Sequence, residues 1–213
     1  MDKQFWNSYY HQHAKDKEIR NSSSFAEFCV KKFFVKKNLR IIELGAGNGR
    51  DAIFFARKHI NVLAIDQSAD AIQHEKDMLH PDYSQYLDCK ELDFVNEDYT
   101  KYEPIDAFYS RFTIHSITQK NEELLLPKLY QSLKQNGLLC IEVRTIKDPM
   151  YGQGEYIDKD TYFTDHKRRF INSKEFLAKA LKLGFHLVYF TEENNLSVYK
   201  DDNPVLMRII LKK

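Results

Sequence analysis

The chain has 213 residues, enough for one α/β domain with a sizeable core. Its 32 basic and 31 acidic side chains leave a net charge of +1, so no global field favours nucleic acid, and no apolar run is long enough for a membrane span. The start is too polar for a signal peptide, and Cys29, Cys89 and Cys140 lie in apolar segments without metal-ligand spacing, which points to reduced core residues in a cytoplasmic protein and to no bound metal.

Residues Met1 to Asn21 are polar but aromatic-rich, with Trp6, Tyr9, Tyr10 and His13 on one helical stripe. Ser22, Ser23 or Ser24 caps the next helix, with Glu27 as capping-box partner of Ser24. Phe25, Phe28, Cys29, Phe33 and Phe34 give that helix its buried side. Leu39 to Ala56, LRIIELGAGNGRDAIFFA, then reads as strand, glycine turn and helix. Gly45, Gly47 and Gly49 permit positive φ and close backbone approach, and the new helix points its amides at a ligand. A dinucleotide turn is spaced G-x-G-x-x-G around a pyrophosphate. Here the spacing is G-x-G-x-G, and Glu43 would repel a pyrophosphate but attract an ammonium group. The implied ligand is a nucleoside with a cationic, amino-acid-like tail, such as S-adenosylmethionine (SAM).

The run E-L-G-A-G-N-G resembles the first motif of the class I SAM-dependent methyltransferases. That resemblance implies a Rossmann-like, doubly wound, seven-stranded sheet, mostly parallel, with a C-terminal antiparallel hairpin. It places Glu43 by the methionine ammonium, with Gly45, Ala46, Gly47 and Asp51 around the cofactor tail. In this family the N-terminus often folds over the cofactor. Residues 1–24 are therefore expected to form a lid that excludes water and offers aromatic faces to the sulfonium.

Val62 to Ile65 is the second strand, ending at Asp66 and Gln67, where an acid accepts hydrogen bonds from ribose hydroxyls. A helix follows over Ser68 to Asp77. Cys89 to Asp93 is the third strand, followed by Phe94. In the family an acid here takes the adenine amino group and the next residue covers the ring. Taken alone, Asp93 is equally a turn residue. The fourth strand, Ile105 to Ser110, runs into Arg111 and His115 without the Asn/Asp-Pro-Pro-aromatic signature of exocyclic-amine methylases. That departure counts against DNA methylation and favours small-molecule work. Arg111 either holds the cofactor carboxylate or an anion, or pairs with an acid such as Asp106. His115 is either a general base or a hydrogen-bonded core residue.

Glu122 to Gln135 reads as a helix stopped by Asn136-Gly137, and Gly137 to Val143 as the fifth strand, with Arg144 at its end. Residues 147–171 form an irregular insertion on the substrate side, carrying Tyr151, Tyr162 and the run Asp165, His166, Lys167, Arg168, Arg169. This run is either a solvated surface or a site for phosphate or another anion, and His166 is a second candidate base. Ser173 caps a last helix, Lys174 to Leu183. Phe185 to Thr191 and Pro204 to Leu211 then form the closing hairpin, joined by a polar loop.

The reading is a single domain over residues 1–213 that uses SAM and releases S-adenosylhomocysteine. The loops DPMYGQGE and YFTDHKRRF and the ending PV-x-MRI resemble those of bacterial surface-polysaccharide-associated methyltransferases. The resemblance implies O-methylation of a small sugar or a phosphorylated or nucleotide-linked precursor, with His115 and His166 as bases. Arg144, Arg168 and Arg169 would hold the acceptor, and Tyr9, Tyr10, Tyr151 and Tyr162 would wall its pocket. A thiol or metalloid acceptor, or a non-catalytic SAM-binding regulator, is the alternative. The expected partner is a small anionic molecule, not nucleic acid or membrane, and the chain is a monomer or homodimer.

Overall fold

The computed structural model describes residues 3–13 and 21–213, without the side chains of residues 12 and 13. The place of His13 in the aromatic stripe, and residues 14–20 of the expected lid, therefore lie outside the described residues. The chain runs α1 (Lys3–His13), α2 (Ser24–Lys32), β1 (Arg40–Leu44), α3 (Arg50–Arg57), β2 (Asn61–Asp66), α4 (Ala69–Met78), β3 (Leu87–Glu91) and β4 (Ile105–Arg111). It continues through α5 (Gln119–Ser132), β5 (Leu133–Arg144), β6 (Glu155–Asp158), β7 (Thr161–Phe163), β8 (Lys167–Arg169), α6 (Ser173–Lys182), β9 (His186–Glu193) and β10 (Leu206–Lys212). One seven-stranded sheet has the order β3-β2-β1-β4-β5-β10-β9, with β10 antiparallel to both neighbours and the other pairs parallel.

The apolar strands follow from burial on both faces. Successive side chains of a strand point to opposite sides, so a central parallel strand needs apolar residues at every position. Ile41, Ala107, Tyr109, Cys140 and Ile210 join one core with Phe25 and Cys29 of α2 and Ala52 and Phe55 of α3. Their neighbours Ile42, Phe108, Leu139, Ile141 and Ile209 join the other, with Leu125 and Leu129 of α5 and Phe176 of α6. Strand order reverses between β1 and β4, so the helices that follow them diverge to opposite faces. A crevice opens there at the carboxyl ends of the strands.

Several boundaries differ from the sequence reading. The cap of α2 is Ser23, whose Oγ accepts the Ala26 N–H at 3.0 Å, while Glu27 takes its hydrogen bond from Ser22. Strand β3 ends at Glu91, which leaves Asp93 in the following turn. Asn136-Gly137 does not stop a helix: α5 ends at Ser132, and the left-handed Asn136 (φ 64°) sits in a bulge of β5 where pairing jumps from Ile105↔Leu133 to Ala107↔Leu138. Asn172, not Ser173, caps α6. The insertion is not irregular throughout, since β6, β7 and β8 form a small antiparallel sheet in which Tyr156 pairs with Tyr162. No described helix is long and apolar enough to cross a membrane.

Behind the glycine turn, Gly49 (φ 74°) leads into α3, and a Cβ there would strike the side chain of Glu75 on α4. Glu75 is fully buried, with the Cys89 thiol beside it, and burial pushes its carboxyl up to about 8. The folded-state value exceeds the unfolded one, so the unfolded chain releases this proton first as pH rises. Stability is then lost by ~1.4 kcal/mol per pH unit between the two values. Glu75→Gln removes that slope: its Tm exceeds the wild-type Tm by several degrees at pH 8 and converges with it towards pH 4.5. Thermal melts across this range check the assignment, and a Tm difference independent of pH would contradict it.

Candidate functional site

The carboxyl ends of β1, β2, β4 and β5 open into a cavity of about 430 Å³, within the size range of small-molecule sites. Glu43, Gly45 and Ala46 come from β1 and its turn, Asp66 from β2, Arg111 to His115 from the end of β4, and Arg144 from β5. Trp6, Tyr9 and Tyr10 of α1 and His166 and Arg168 of the insertion complete its lining, with Trp6 in ring contact with His166.

At one end lies Glu43, 4 % exposed, whose Oε2 is buried and makes no hydrogen bond among the described residues. Burial, then the nearby Asp51 carboxylate, holds its carboxyl well above the ordinary range. Asp66 accepts the N–H groups of Gly47 and Ser68, both at 2.9 Å, which pins the glycine turn to the tip of β2. Gly45 and Gly47 have positive φ (69° and 59°), and the space a side chain would need is already taken. A Cβ at Gly45 would meet the Thr113 side chain, and one at Gly47 would meet the Tyr10 hydroxyl. A buried carboxyl with one oxygen lacking a hydrogen bond among the described residues, beside a backbone cradle and a second acid, fits a ligand with a cationic tail and a ribose.

At the other end two imidazoles face each other, with ring centroids 6.5 Å apart. His115 is 5 % exposed, and its Nδ1 makes no hydrogen bond among the described residues. His166 Nδ1 lies 3.0 Å from Asp165 Oδ2, while its buried Nε2 likewise has no described hydrogen-bond partner. Arg168 Nη2 also lies 3.4 Å from Nδ1 and can only donate, but the shorter Asp165 contact favours a proton on Nδ1 and leaves Nε2 as the unprotonated nitrogen. Burial, then the Arg168 guanidinium, holds both imidazoles below the ordinary range, so both are neutral at neutral pH. Arg168 keeps a buried Nε without a hydrogen bond among the described residues, and Arg144 donates to Asp148 at 2.9 Å and also to Asp202.

Other expected site residues are placed elsewhere. Arg111 lines the cavity, but its ion-pair partner is Glu142 (2.9 Å) and not Asp106, and it donates to Ser197 at 2.6 Å. Asp51 reaches the cavity wall with its oxygens committed to Ser23 and to the Tyr109 hydroxyl (2.7–2.8 Å), which ties α2 to α3 and β4. Gln67 follows Asp66 but stays off the cavity wall. Phe94 is a correction, because its side chain is wholly buried in the core and cannot cover a ligand ring. The Asp93 oxygens accept from Val95 N–H (3.0 Å) and Asn96 Nδ2 (2.7 Å), outside the cavity. Arg169 is also corrected: strand alternation turns it away from Arg168, and it donates to Glu122 (2.6 Å) and to the Ile117 carbonyl (2.9 Å). Tyr151 and Tyr162 pack edge-on with Phe170 and do not line the cavity.

The sequence reading missed Arg50, Phe112, Thr113 and the loop residues Ser197, Tyr199 and Asp202, all on the cavity wall. Arg50 carried a signal. A cation in the first turn of a helix opposes the helix dipole, so its place there called for another reason.

Residues 42–139 match the family model described as "Methyltransferase domain". The chain is similar to a carboxy-S-adenosyl-L-methionine synthase of Nautilia profundicola, with 24 % identity over 81 % of this chain and 72 % of the relative. In fold it is similar to a SAM-dependent methyltransferase of Methanosarcina mazei, with a TM-score of 0.72 at 16 % identity over 86 % of this chain and 96 % of that one. It is also similar to the glycopeptide N-methyltransferase MtfA complexed with S-adenosylhomocysteine, with a TM-score of 0.69 at 14 % identity over 90 % of each chain. The methyltransferase-domain match, the sheet order and these structural likenesses agree on the architecture: the chain has the Rossmann-like fold of the class I SAM-dependent methyltransferases.

Proposed function

We propose that the chain transfers a methyl group to an oxygen of a small anionic acceptor, a sugar or a phosphorylated or nucleotide-linked precursor of a surface polysaccharide. The observation that carries this reading is the polarity of one cavity. Glu43, whose Oε2 has no hydrogen bond among the described residues, stands at one end, and two neutral histidines with an incompletely bonded arginine, Arg168, stand at the other.

Glu43 would hold the donor's ammonium group and Asp66 its ribose, with Arg50 and Arg111 beside them for the carboxylate. SAM supplies an electrophilic methyl on a cationic sulfonium when bound. The chain's own task is alignment and proton removal. Arg168 and Arg144 orient the anionic group of the acceptor, His166 Nε2 takes the hydroxyl proton, and α1 covers the cavity against water. The likeness to a carboxy-SAM synthase supports a second reading, in which Arg168 holds a carboxylate carried by the donor itself. Mass spectrometry of the products separates the two readings.

Calorimetry with SAM, followed by a screen of phosphorylated and nucleotide-linked sugars for release of S-adenosylhomocysteine, tests the proposal. SAM binding without turnover on any of them would refute it. With an acceptor in hand, His166→Gln lowers kcat about 100-fold or more and leaves the affinity for S-adenosylhomocysteine intact. Because burial holds His166 below its ordinary range, the acid limb of the wild-type kcat/KM profile titrates below pH 6.5 and is lost in the variant.

Burial, then the Asp51 carboxylate, raises the Glu43 carboxyl, and an ammonium group docked beside it would lower it again, so proton release is the expected accompaniment of binding. The calorimetric enthalpy of SAM binding at neutral pH therefore varies with the ionisation enthalpy of the buffer. In Glu43→Gln this dependence disappears and affinity falls about 10-fold or more. An enthalpy that is the same in every buffer would remove Glu43 from the ammonium site.

A further inference from the structure

We propose that α1 is a working part of the acceptor site: Phe5 and Trp6 position the His166 imidazole, and Tyr10 on the same helix ties that position to the cofactor turn. This inference rests on the reading of His166 as the base.

The contacts are specific. The Phe5 ring stacks on His166 with centroids 5.0 Å apart and planes at 29°, and Trp6 meets the same imidazole edge-on at 5.4 Å and 62°. Asp165 holds Nδ1 from the far edge. The ring is thus fixed in plane and tilt, with Nε2 turned into the buried interior. Five residues along the helix, about 7.5 Å of rise, the Tyr10 hydroxyl rests against Gly47 where a side chain would otherwise stand. Burial, and then the Asp66 carboxylate, keeps that hydroxyl protonated among the groups expected to hold the donor. Trp6 stacks on Tyr10 at 6.1 Å and packs on Tyr9 at 5.7 Å, so the path from glycine turn to imidazole is an unbroken series of rings. Lys3 ties the start of the helix to Glu91 at 2.6 Å. A ligand that enters against Gly47 displaces or engages Tyr10, and α1 transmits the change to His166. Cofactor occupancy thereby sets the geometry of the base before the acceptor binds.

Trp6 is the only tryptophan in the chain, so its fluorescence reads α1 directly. A protonated imidazole in contact with an indole quenches its emission, whereas a neutral one does so weakly. The charged and titratable groups around His166 are Asp165 on its own loop, Arg168 on β8, His115 after β4 and Arg144 on β5. The described part of α1 meets it with the uncharged rings of Phe5 and Trp6.

In the full-length chain, emission is expected to fall with pH in a step below pH 6.5. That step disappears in His166→Gln and persists in His115→Gln. S-adenosylhomocysteine is expected to change Trp6 emission and to move the midpoint of the step. Phe5→Ala shifts the midpoint up towards 6.5 as the imidazole gains solvent, and Phe5→Tyr restores it. Calorimetric binding of S-adenosylhomocysteine with no change in Trp6 emission or midpoint would overturn the coupling while leaving the cofactor reading intact. Absence of binding would instead strike that earlier reading. A Phe5→Ala midpoint equal to the wild-type value would refute the positioning role.

Discussion

The site depends on one unfavourable arrangement: a carboxyl group, Glu43, buried beside a backbone turn with one oxygen lacking a hydrogen bond among the described residues. Burial disfavours the ionised form of such a group and, with the Asp51 carboxylate, raises its carboxyl well above the ordinary range. The fold does not relieve the cost locally. Arg50 and Arg111 both favour the charged form, yet neither hydrogen-bonds the Oε2 atom. Under the proposed function, a cation delivered by a ligand would be the partner of this oxygen. The glycine turn is required by close packing beside the acid, since a Cβ at Gly45 would collide with Thr113 and one at Gly47 with the Tyr10 hydroxyl.

Sheet geometry explains why the two ends of the cavity differ in chemistry. Parallel strands present their carboxyl ends to one crevice, and each strand contributes the residues at its tip. Glu43 and Asp66 arrive on β1 and β2, while Arg111 and Arg144 arrive on β4 and β5, across the point where strand order reverses. The strand-tip acids thus come from one side of the reversal and the strand-tip arginines from the other, with Arg111, on the strand next to β1, still close enough to act on Glu43. The insertion adds to the arginine side. Its strand β8 alternates, so Arg168 enters the cavity while Arg169 braces α5 through the buried Glu122.

Much of this is legible in the sequence where the signal is local. Strand tips announce themselves as an apolar run ending in a polar residue. Glu43, Asp66, Arg111, His115 and Arg144 stand out in the chain on that ground, and all of them line the cavity. Residues in short or aperiodic segments could not be oriented. A three-residue strand such as β8 carries no period from which to tell Arg168 from Arg169. Tyr151 and Tyr162 similarly gave no cue that their rings would pair with Phe170 instead of facing the site. Phe94 misled because position along a motif does not state side-chain direction. The loop bearing Ser197, Tyr199 and Asp202 was invisible for another reason. Its place over the cavity is set by distant partners: Arg208 binds the Leu196 carbonyl at 2.8 Å, and Arg111 binds Ser197.

The charge pattern also constrains the acceptor. Arg50, Arg111, Arg144 and Arg168 line a cavity whose donor is itself a cation. At an effective dielectric constant of about 20, two like charges about 5 Å apart repel by ~3 kcal/mol, so these guanidiniums must be balanced nearby. Arg111 is answered by Glu142, which is fully buried, and Arg144 by Asp148 and Asp202. Arg50 lies 3.8 Å from Asp51. Arg168 is the least compensated: Asp165 stands at 3.6 Å, is two-thirds exposed, and is shared with His166. An anion entering the cavity would find its largest electrostatic gain at Arg168, at the end away from Glu43. Cation and anion would then occupy opposite ends, with His115 and His166 beside the anion at the Arg168 end. A neutral acceptor would leave Arg168 unbalanced, and a cationic one would add to the repulsion. Burial first and the Arg168 guanidinium second lower both imidazoles, so in the proposed reaction the charge that would select the acceptor would also help to prepare the base.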